Sequence, residues 1–147
     1  MTKDKYTVLL VDDSPDDRFF MRIILERSAK FGVVKEARDG QEAIDYLQGE
    51  GSFSDRAAFP FPDIVLLDLK MPRKTGFEVL QWVQAHEVGN LMVAIVSGSS
   101  LADDIASSLA LGAAAYFKKT SLKAEQQKMI CEIEKLLDER NKSSIAH

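Results

Sequence analysis

Cysteine is nearly absent from this chain: Cys131 is the only one in 147 residues. A single cysteine excludes an intrachain disulfide, and a reducing, cytoplasmic setting is the expectation. Long apolar runs are missing as well. None approaches the roughly 20 residues that a membrane-spanning helix needs, so no membrane association is expected. The first residues, Met1-Thr2-Lys3-Asp4-Lys5, are polar and lead straight into a strand pattern, so no signal peptide is expected. Positive charge is not in excess. The net charge of −4 argues against a general nucleic-acid binder. Histidine is scarce, and His86 and His147 lie in no recognisable motif. Internal repeats and low-complexity segments are absent too.

The remaining composition is that of a globular protein. Hydrophobic residues make up 46% and charged residues 29%, enough to build one ordinary domain with a proper core. Strand and helix patterns alternate from end to end. Strands are expected at Tyr6 to Val11, Val33 to Ala37, Asp63 to Asp68, Leu91 to Ser97 and Ala114 to Lys118. The first helix opens at Ser14-Pro15-Asp16-Asp17, a capping serine followed by a first-turn proline and two acids. Phe20, Ile23, Ile24 and Arg27 then share one mostly apolar face. The second helix carries Ala43, Ile44 and Leu47, the third Phe77, Leu80 and Val83, and the fourth Ile105 and Leu109. The last carries Met129, Ile130, Ile133, Leu136 and Leu137 at helical spacing. Residues 1–140 form the expected domain, with 141–147 a frayed tail. Cys131 is expected to be buried or half-buried on the last helix. The loop from Gly49 to Pro62, with Phe53, Phe59 and Phe61, either packs on its own aromatics or contacts a partner.

Two strand patterns end in carboxylates. Val8-Leu9-Leu10-Val11 runs into Asp12-Asp13, and Ile64-Val65-Leu66-Leu67 runs into Asp68. Continuous apolar runs read as buried strands of a parallel sheet, and ligands sit beyond the carboxyl ends of such strands. If the two strands are neighbours, the three acids meet at one rim. There they either hold protons at raised pKa or bind a cation. An all-oxygen set favours a hard ion such as Mg²⁺.

Four blocks in order resemble the receiver domain of two-component response regulators. They are Leu-Leu-Val-Asp12-Asp13-Ser-Pro, Leu-Leu-Asp68-Leu-Lys-Met-Pro72-Arg-Lys-Thr-Gly76, Val96-Ser97-Gly98 and Tyr116-Phe117-Lys118-Lys119. The resemblance covers roughly residues 6 to 138. It implies a flavodoxin-like doubly wound (βα)5 fold of α/β class, with a five-stranded parallel sheet in order 2-1-3-4-5. It further implies Asp68 as phosphoacceptor, Asp12, Asp13, Asp68 and the Lys70 backbone carbonyl as Mg²⁺ ligands, and Ser97 as the hydroxyl that bonds the phosphoryl group. Tyr116 is implied as the aromatic switch partner of Ser97. The active-site lysine is Lys119 when counted from Tyr116; Lys118 is the alternative, since strand alternation lets only one of the two point inward. Where most receivers have lysine then proline, this chain has Lys118-Lys119-Thr120.

The implied function is that of a stand-alone response regulator. It takes a phosphoryl group from a sensor histidine kinase or histidine phosphotransfer protein, and the long Gly49–Pro62 loop resembles that of receivers serving phytochrome-type or other hybrid sensor kinases. Its output passes to an unknown downstream protein by contact or by onward phosphotransfer. It would catalyse only its own phosphorylation and slow dephosphorylation, as a monomer or weak homodimer. Two rival readings remain. One is an unphosphorylated receiver that binds partners constitutively. The other is a metal-dependent hydrolase, disfavoured because the residue two after Asp68 is Lys70 and not an acid.

Overall fold

Runs rich in Val, Ile and Leu become five strands: β1 (Tyr6–Val11), β2 (Phe31–Ala37), β3 (Ile64–Leu67), β4 (Met92–Ser97) and β5 (Ala115–Lys118). The computed structural model describes residues 5–71 and 73–145, the last three of these by backbone alone. All strand pairs are parallel, and the order is β2-β1-β3-β4-β5, as expected. Five helices join them: α1 (Pro15–Glu26), α2 (Gly40–Gln48), α3 (Gly76–His86), α4 (Ala102–Ala110) and α5 (Lys123–Ile145).

Side-chain alternation along the strands divides the interior into two cores. Leu9, Val11, Val65, Leu67, Val93 and Ile95 face the core that holds Ala43, Ile44 and Leu47 of α2 and Val79 and Leu80 of α3. Val8, Leu10, Ile64, Leu66, Ala94 and Val96 face the other, with Leu25 of α1 and Met129, Ile130, Ile133 and Leu137 of α5. Both faces of the central strands are therefore dry, which is why their sequences are continuous apolar runs.

Local signals set the helix starts. Ser14 Oγ accepts the Asp17 N–H at 3.2 Å, Asp39 accepts the Glu42 N–H at 2.8 Å, and Thr75 and Glu78 form a reciprocal capping box. Gly76 is required by close approach. A Cβ there would lie 2.4 Å from the Asp68 carbonyl oxygen. Its N–H donates to the Leu69 carbonyl at 2.9 Å, folding the loop after β3 back onto the strand end. That loop is also pinned to α2. Arg73, at φ 66°, forks onto the Asp39 carboxylate at 2.7 and 3.0 Å.

Three local expectations change, and the self-packed alternative for one loop is met. The inward face of α1 is Met21, Ile24 and Leu25, while Phe20 is 59% exposed and stacks edge-on against Phe19. The Ser14 cap sets the helix phase, and 21, 24 and 25 are the positions one turn apart that reach the sheet. Cys131 is exposed, because 129, 130, 133 and 137 occupy the buried stripe of α5. The tail expected from 141 is helical as far as Ile145; residues 146 and 147 lie outside the described residues. The Gly49–Pro62 loop contains a short 3₁₀ turn, Gly51–Phe53, and packs on itself. Tyr46, Phe53 and Phe59 form a ring cluster with centroids 5.0 to 6.1 Å apart, and Arg56 donates to the carbonyls of Tyr46, Leu47 and Phe59.

Candidate functional site: an acidic cluster at the strand ends

The central strands β1 and β3 end level with each other, with Val11 paired to Leu67. The next residues, Asp12 and Asp68, therefore leave the sheet side by side. The Asp68 N–H still donates to the Val11 carbonyl at 2.9 Å, and the Asp12 N–H to the Ala37 carbonyl at 3.2 Å. Asp13 follows on the exposed side. One carboxylate oxygen from each of Asp12, Asp13 and Asp68 lies within 4.8 Å of the others. Asp68 is 6% exposed and Asp12 9%. Desolvation raises the Asp12 pKa above the ordinary carboxylate range, against hydrogen bonds from Lys119 and the Ser14 N–H and the charge of Lys119, and Asp68 adds to the rise.

Lys119 supplies the counter-charge. Its ammonium donates to Asp12 at 2.7 Å, Asp17 at 2.8 Å and Asp68 at 3.3 Å. Partial burial opposes its charge, but the hydrogen bonds to Asp12 and Asp17 and the charge of Asp68 outweigh that and hold it protonated well above the ordinary lysine range. Lys118 is exposed at the end of β5 and makes none of these contacts, so the neighbouring lysines are told apart. No cis peptide bond occurs among the described residues, the Lys119–Thr120 bond included. The backbone N–H of Lys119 donates to the Ser97 carbonyl at 2.8 Å, tying the end of β5 to that of β4.

Ser97 is buried at the end of β4, and its Oγ accepts the Ser99 N–H at 3.3 Å. A Cβ on Gly98 would meet nothing within 4 Å, so the approach there is open. The half-buried Tyr116 reaches the same turn, its hydroxyl donating to the Ser99 carbonyl at 2.7 Å. Ser99 Oγ donates in turn to Asp104 of α4 at 2.6 Å and accepts the Leu101 N–H, so the turn also caps α4. Lys70 lies in the loop two residues past Asp68 with its side chain exposed. Pro72 lies outside the described residues. Of the three basic residues in that loop, Arg73 is committed to Asp39 and does not serve as a free charge at the mouth.

A cavity of about 650 Å³ opens between α1 and the β5–α5 loop, with Asp12, Asp68 and Lys119 at its polar end and Met21, Ile24 and Met129 among its apolar walls. Two residues of this region escaped the sequence reading. Arg18 donates to the Asp12 carbonyl and to Glu36, fixing the backbone of the cluster. Asp17 joins the Lys119 ammonium. Both sit in the first turns of α1, where acids and bases are ordinary helix-end residues, so nothing in the sequence marks them.

The donor set suits a divalent cation. Three converging carboxylates, two of them little exposed, face a single ammonium, and this excess of negative charge in a drying environment is relieved by a hard ion with oxygen ligands. A doubly wound parallel sheet with such a cluster at the adjacent ends of β1 and β3, a hydroxyl at the end of β4 and a lysine just past β5 is the arrangement expected of a receiver, with its ligand site at the carboxyl ends of the strands. The chain belongs to that family: a response regulator receiver domain matches residues 8–131.

Its relatives narrow this further. It is 30% identical over 128 residues to the response regulator Rcp1 of Synechocystis sp., covering 86% of this chain and 85% of that one. The solved structure of the phosphorylated cyanobacterial phytochrome response regulator RcpA superposes with a TM-score of 0.79 at 30% identity, over 90% of this chain and 94% of that one. The Mn²⁺-bound form of Rcp1 superposes with a TM-score of 0.77 at 30% identity, over 91% and 95%. In several longer curated relatives the matched stretch covers about a quarter of the protein. Receivers accept a phosphoryl group from a histidine kinase or phosphotransfer protein and bind a divalent metal. No helix among the described residues is long and apolar enough to cross a membrane.

Proposed function

We propose that this receiver takes a phosphoryl group onto Asp68 from the phosphohistidine of a sensor kinase or phosphotransfer protein. The observation that carries this reading is the convergence of Asp12, Asp13 and Asp68 around one point with the Lys119 ammonium 3.3 Å from Asp68. An Asp68 carboxylate oxygen attacks phosphorus as the bond to the donor nitrogen breaks, and the imidazole leaves. Asp12, Asp13, Asp68 and the Lys70 carbonyl would hold Mg²⁺, which would supply charge neutralisation to the phosphoryl oxygens. Lys119 pairs with one of those oxygens, and Ser97 Oγ donates to another. Gly98 leaves the phosphorus open to donor and water.

Output follows from Ser97 and Tyr116. When the Ser97 hydroxyl turns to the phosphoryl group it gives up its bond from the Ser99 N–H, and the Ser99 turn holds the Tyr116 hydroxyl. The charge on Asp68 thereby biases the packing of Tyr116 and the face built from α4, β5 and α5. A downstream protein reads that face. The relatives Rcp1 and RcpA support a phytochrome-type kinase as the donor for this chain too.

The test is intact-protein mass after incubation with Mg²⁺ and acetyl phosphate. The expected result is one added phosphoryl group that needs the metal and is absent in Asp68→Asn. No gain under conditions that label a known receiver would leave constitutive partner binding as the function.

A further inference from the structure

We propose that Asp17 is a positioning residue of this site: it shares the Lys119 ammonium with Asp12 and Asp68 and holds it at the outer edge of the cluster. The inference deepens the reading of Asp68 as phosphoacceptor and rests on it. Its basis is a closed ring of contacts. Asp12 Oδ1 accepts the Ser14 N–H at 2.9 Å, and Ser14 Oγ accepts the Asp17 N–H at 3.2 Å. The ammonium of Lys119 then bridges Asp17 Oδ2 at 2.8 Å and Asp12 Oδ2 at 2.7 Å. The cap of α1 thus fixes where the Asp17 carboxylate stands relative to the cluster. The two bridging distances are equal within 0.1 Å, so Lys119 is divided between a carboxylate of the cluster and one outside it.

The division matters when a cation arrives. A divalent ion and an ammonium compete for the same oxygens of Asp12 and Asp68, and they repel each other at contact distance. A lysine with partners only inside the cluster would have to give up its ion pairs for the metal to enter. With Asp17 in place, the ammonium shifts outward and keeps a carboxylate partner. It also stays beside Asp68, ready to pair with a phosphoryl oxygen. Asp17 therefore favours cation entry by relieving competition from Lys119, beyond its general negative potential. An acid at the third position of a helix needs no such role, since it interacts favourably with the helix end wherever it points. What singles out Asp17 is the long-range partner, 102 residues away in sequence.

A double-mutant cycle separates these effects. Mg²⁺ affinity of the unphosphorylated full chain is measured by calorimetry for the wild type, Asp17→Asn, Lys119→Gln and the double variant. Asp17→Asn is expected to weaken Mg²⁺ binding about three- to tenfold when Lys119 is present and less than about twofold when it is Gln, a coupling of the size found between contacting residues. Asp17→Glu, which keeps the carboxylate, is expected to restore most of the loss. An equal loss in both backgrounds would reduce Asp17 to background potential and overturn the proposal, as would no loss in either. Thermal melts of all variants identify any change that is mere unfolding, and Asp17→Ser, which also removes the carboxylate, takes the place of Asp17→Asn in the cycle if that variant folds poorly. The cycle reads cation binding, whereas the function is read by mass labelling of Asp68. A labelled wild type without coupling sinks only the role of Asp17. A wild type that binds no Mg²⁺ sinks the reading of the site itself.

Discussion

At the scale of the residue, the site works by placing groups of fixed charge where charge will change. Lys119 is the counter-charge to Asp12, Asp17 and Asp68, and Lys119→Gln should leave Mg²⁺ binding intact or stronger while slowing phosphorylation by acetyl phosphate about ten- to hundredfold, the cost of removing one electrostatic contact to the transferring group. Time-resolved intact mass checks this, and a rate within twofold of wild type would remove Lys119 from the chemistry. Ser99 illustrates how one small residue serves several ends: it bonds Ser97, holds Tyr116, and ties to Asp104. Tyr116→Phe removes only the hydroxyl. The expected outcome is an unchanged labelling rate with a weaker response of partner binding to phosphorylation, because the lost bond is worth about 0.5–1.5 kcal/mol. The Asp39–Arg73 fork gives a pH signature. Burial opposes ionisation of Asp39, yet the hydrogen bonds and charge of Arg73 and the Glu42 N–H hold its pKa below the ordinary carboxylate range. A carboxylate lowered in the folded state stabilises above its unfolded pKa and loses that contribution as pH falls. Denaturant melts from neutral to about pH 3 should therefore show a shallower acid loss in Arg73→Met than in the wild type.

At the scale of the element, strand ends and helix starts converge because each connection is short and pinned. The loop after β3 is held at both ends, by Gly76 against Asp68 and by Arg73 against Asp39. Gly76→Ala would force a Cβ to 2.4 Å from the Asp68 carbonyl. It should cost about 1–3 kcal/mol in urea melts and should also lower Asp68 labelling, since the backbone that carries the proposed acceptor must move. A variant with full stability and full labelling would show that the loop has another place to go. Helix phase is also an element-scale matter. The apolar residues of α1 outnumber the positions that face the sheet, so the pattern alone admits Phe20 on the inner face. The capping geometry at Ser14 decides for Met21, Ile24 and Leu25.

At the scale of the whole molecule, the sheet concentrates negative charge at one rim, and folding stability must bear it. Asp12 and Asp68 are drawn out of water beside each other and opposed by Lys119. A bound cation relieves that repulsion only in the folded state. Saturating Mg²⁺ should therefore raise stability by about 2.7 kcal/mol at a hundred times the dissociation constant, by mass action. Asp12→Asn and Asp68→Asn should be more stable than the wild type without metal and gain less from it. Thermal melts with and without Mg²⁺ measure both, and equal Mg²⁺ shifts in all three proteins would place the ion elsewhere.

Much of this was legible from the residues. The central strands β1, β3 and β4 are near-continuous apolar runs because a parallel sheet between helix layers is dry on both faces there, and that pattern is written in consecutive positions. Asp12, Asp13 and Asp68 stand out because each follows such a run directly. Ser14, Gly49 and Gly76 mark helix ends by local chemistry. Lys119 was legible over Lys118 only by its count from Tyr116, because β5 is a short edge strand whose side chains are none of them fully buried and whose burial pattern does not say which lysine turns inward. The outward turn of Cys131, the fork from Arg73 to Asp39 and the bond from Lys119 to Asp17 were not legible. These pairs lie far apart in the chain, and each residue type is commonplace where it stands. Local sequence determines which backbone forms and which faces are apolar, since propensity, capping and periodicity act within a few residues. Only the tertiary structure decides which charges meet, because that depends on the register of β1 against β3 and of β4 against β5, set by packing of the whole sheet.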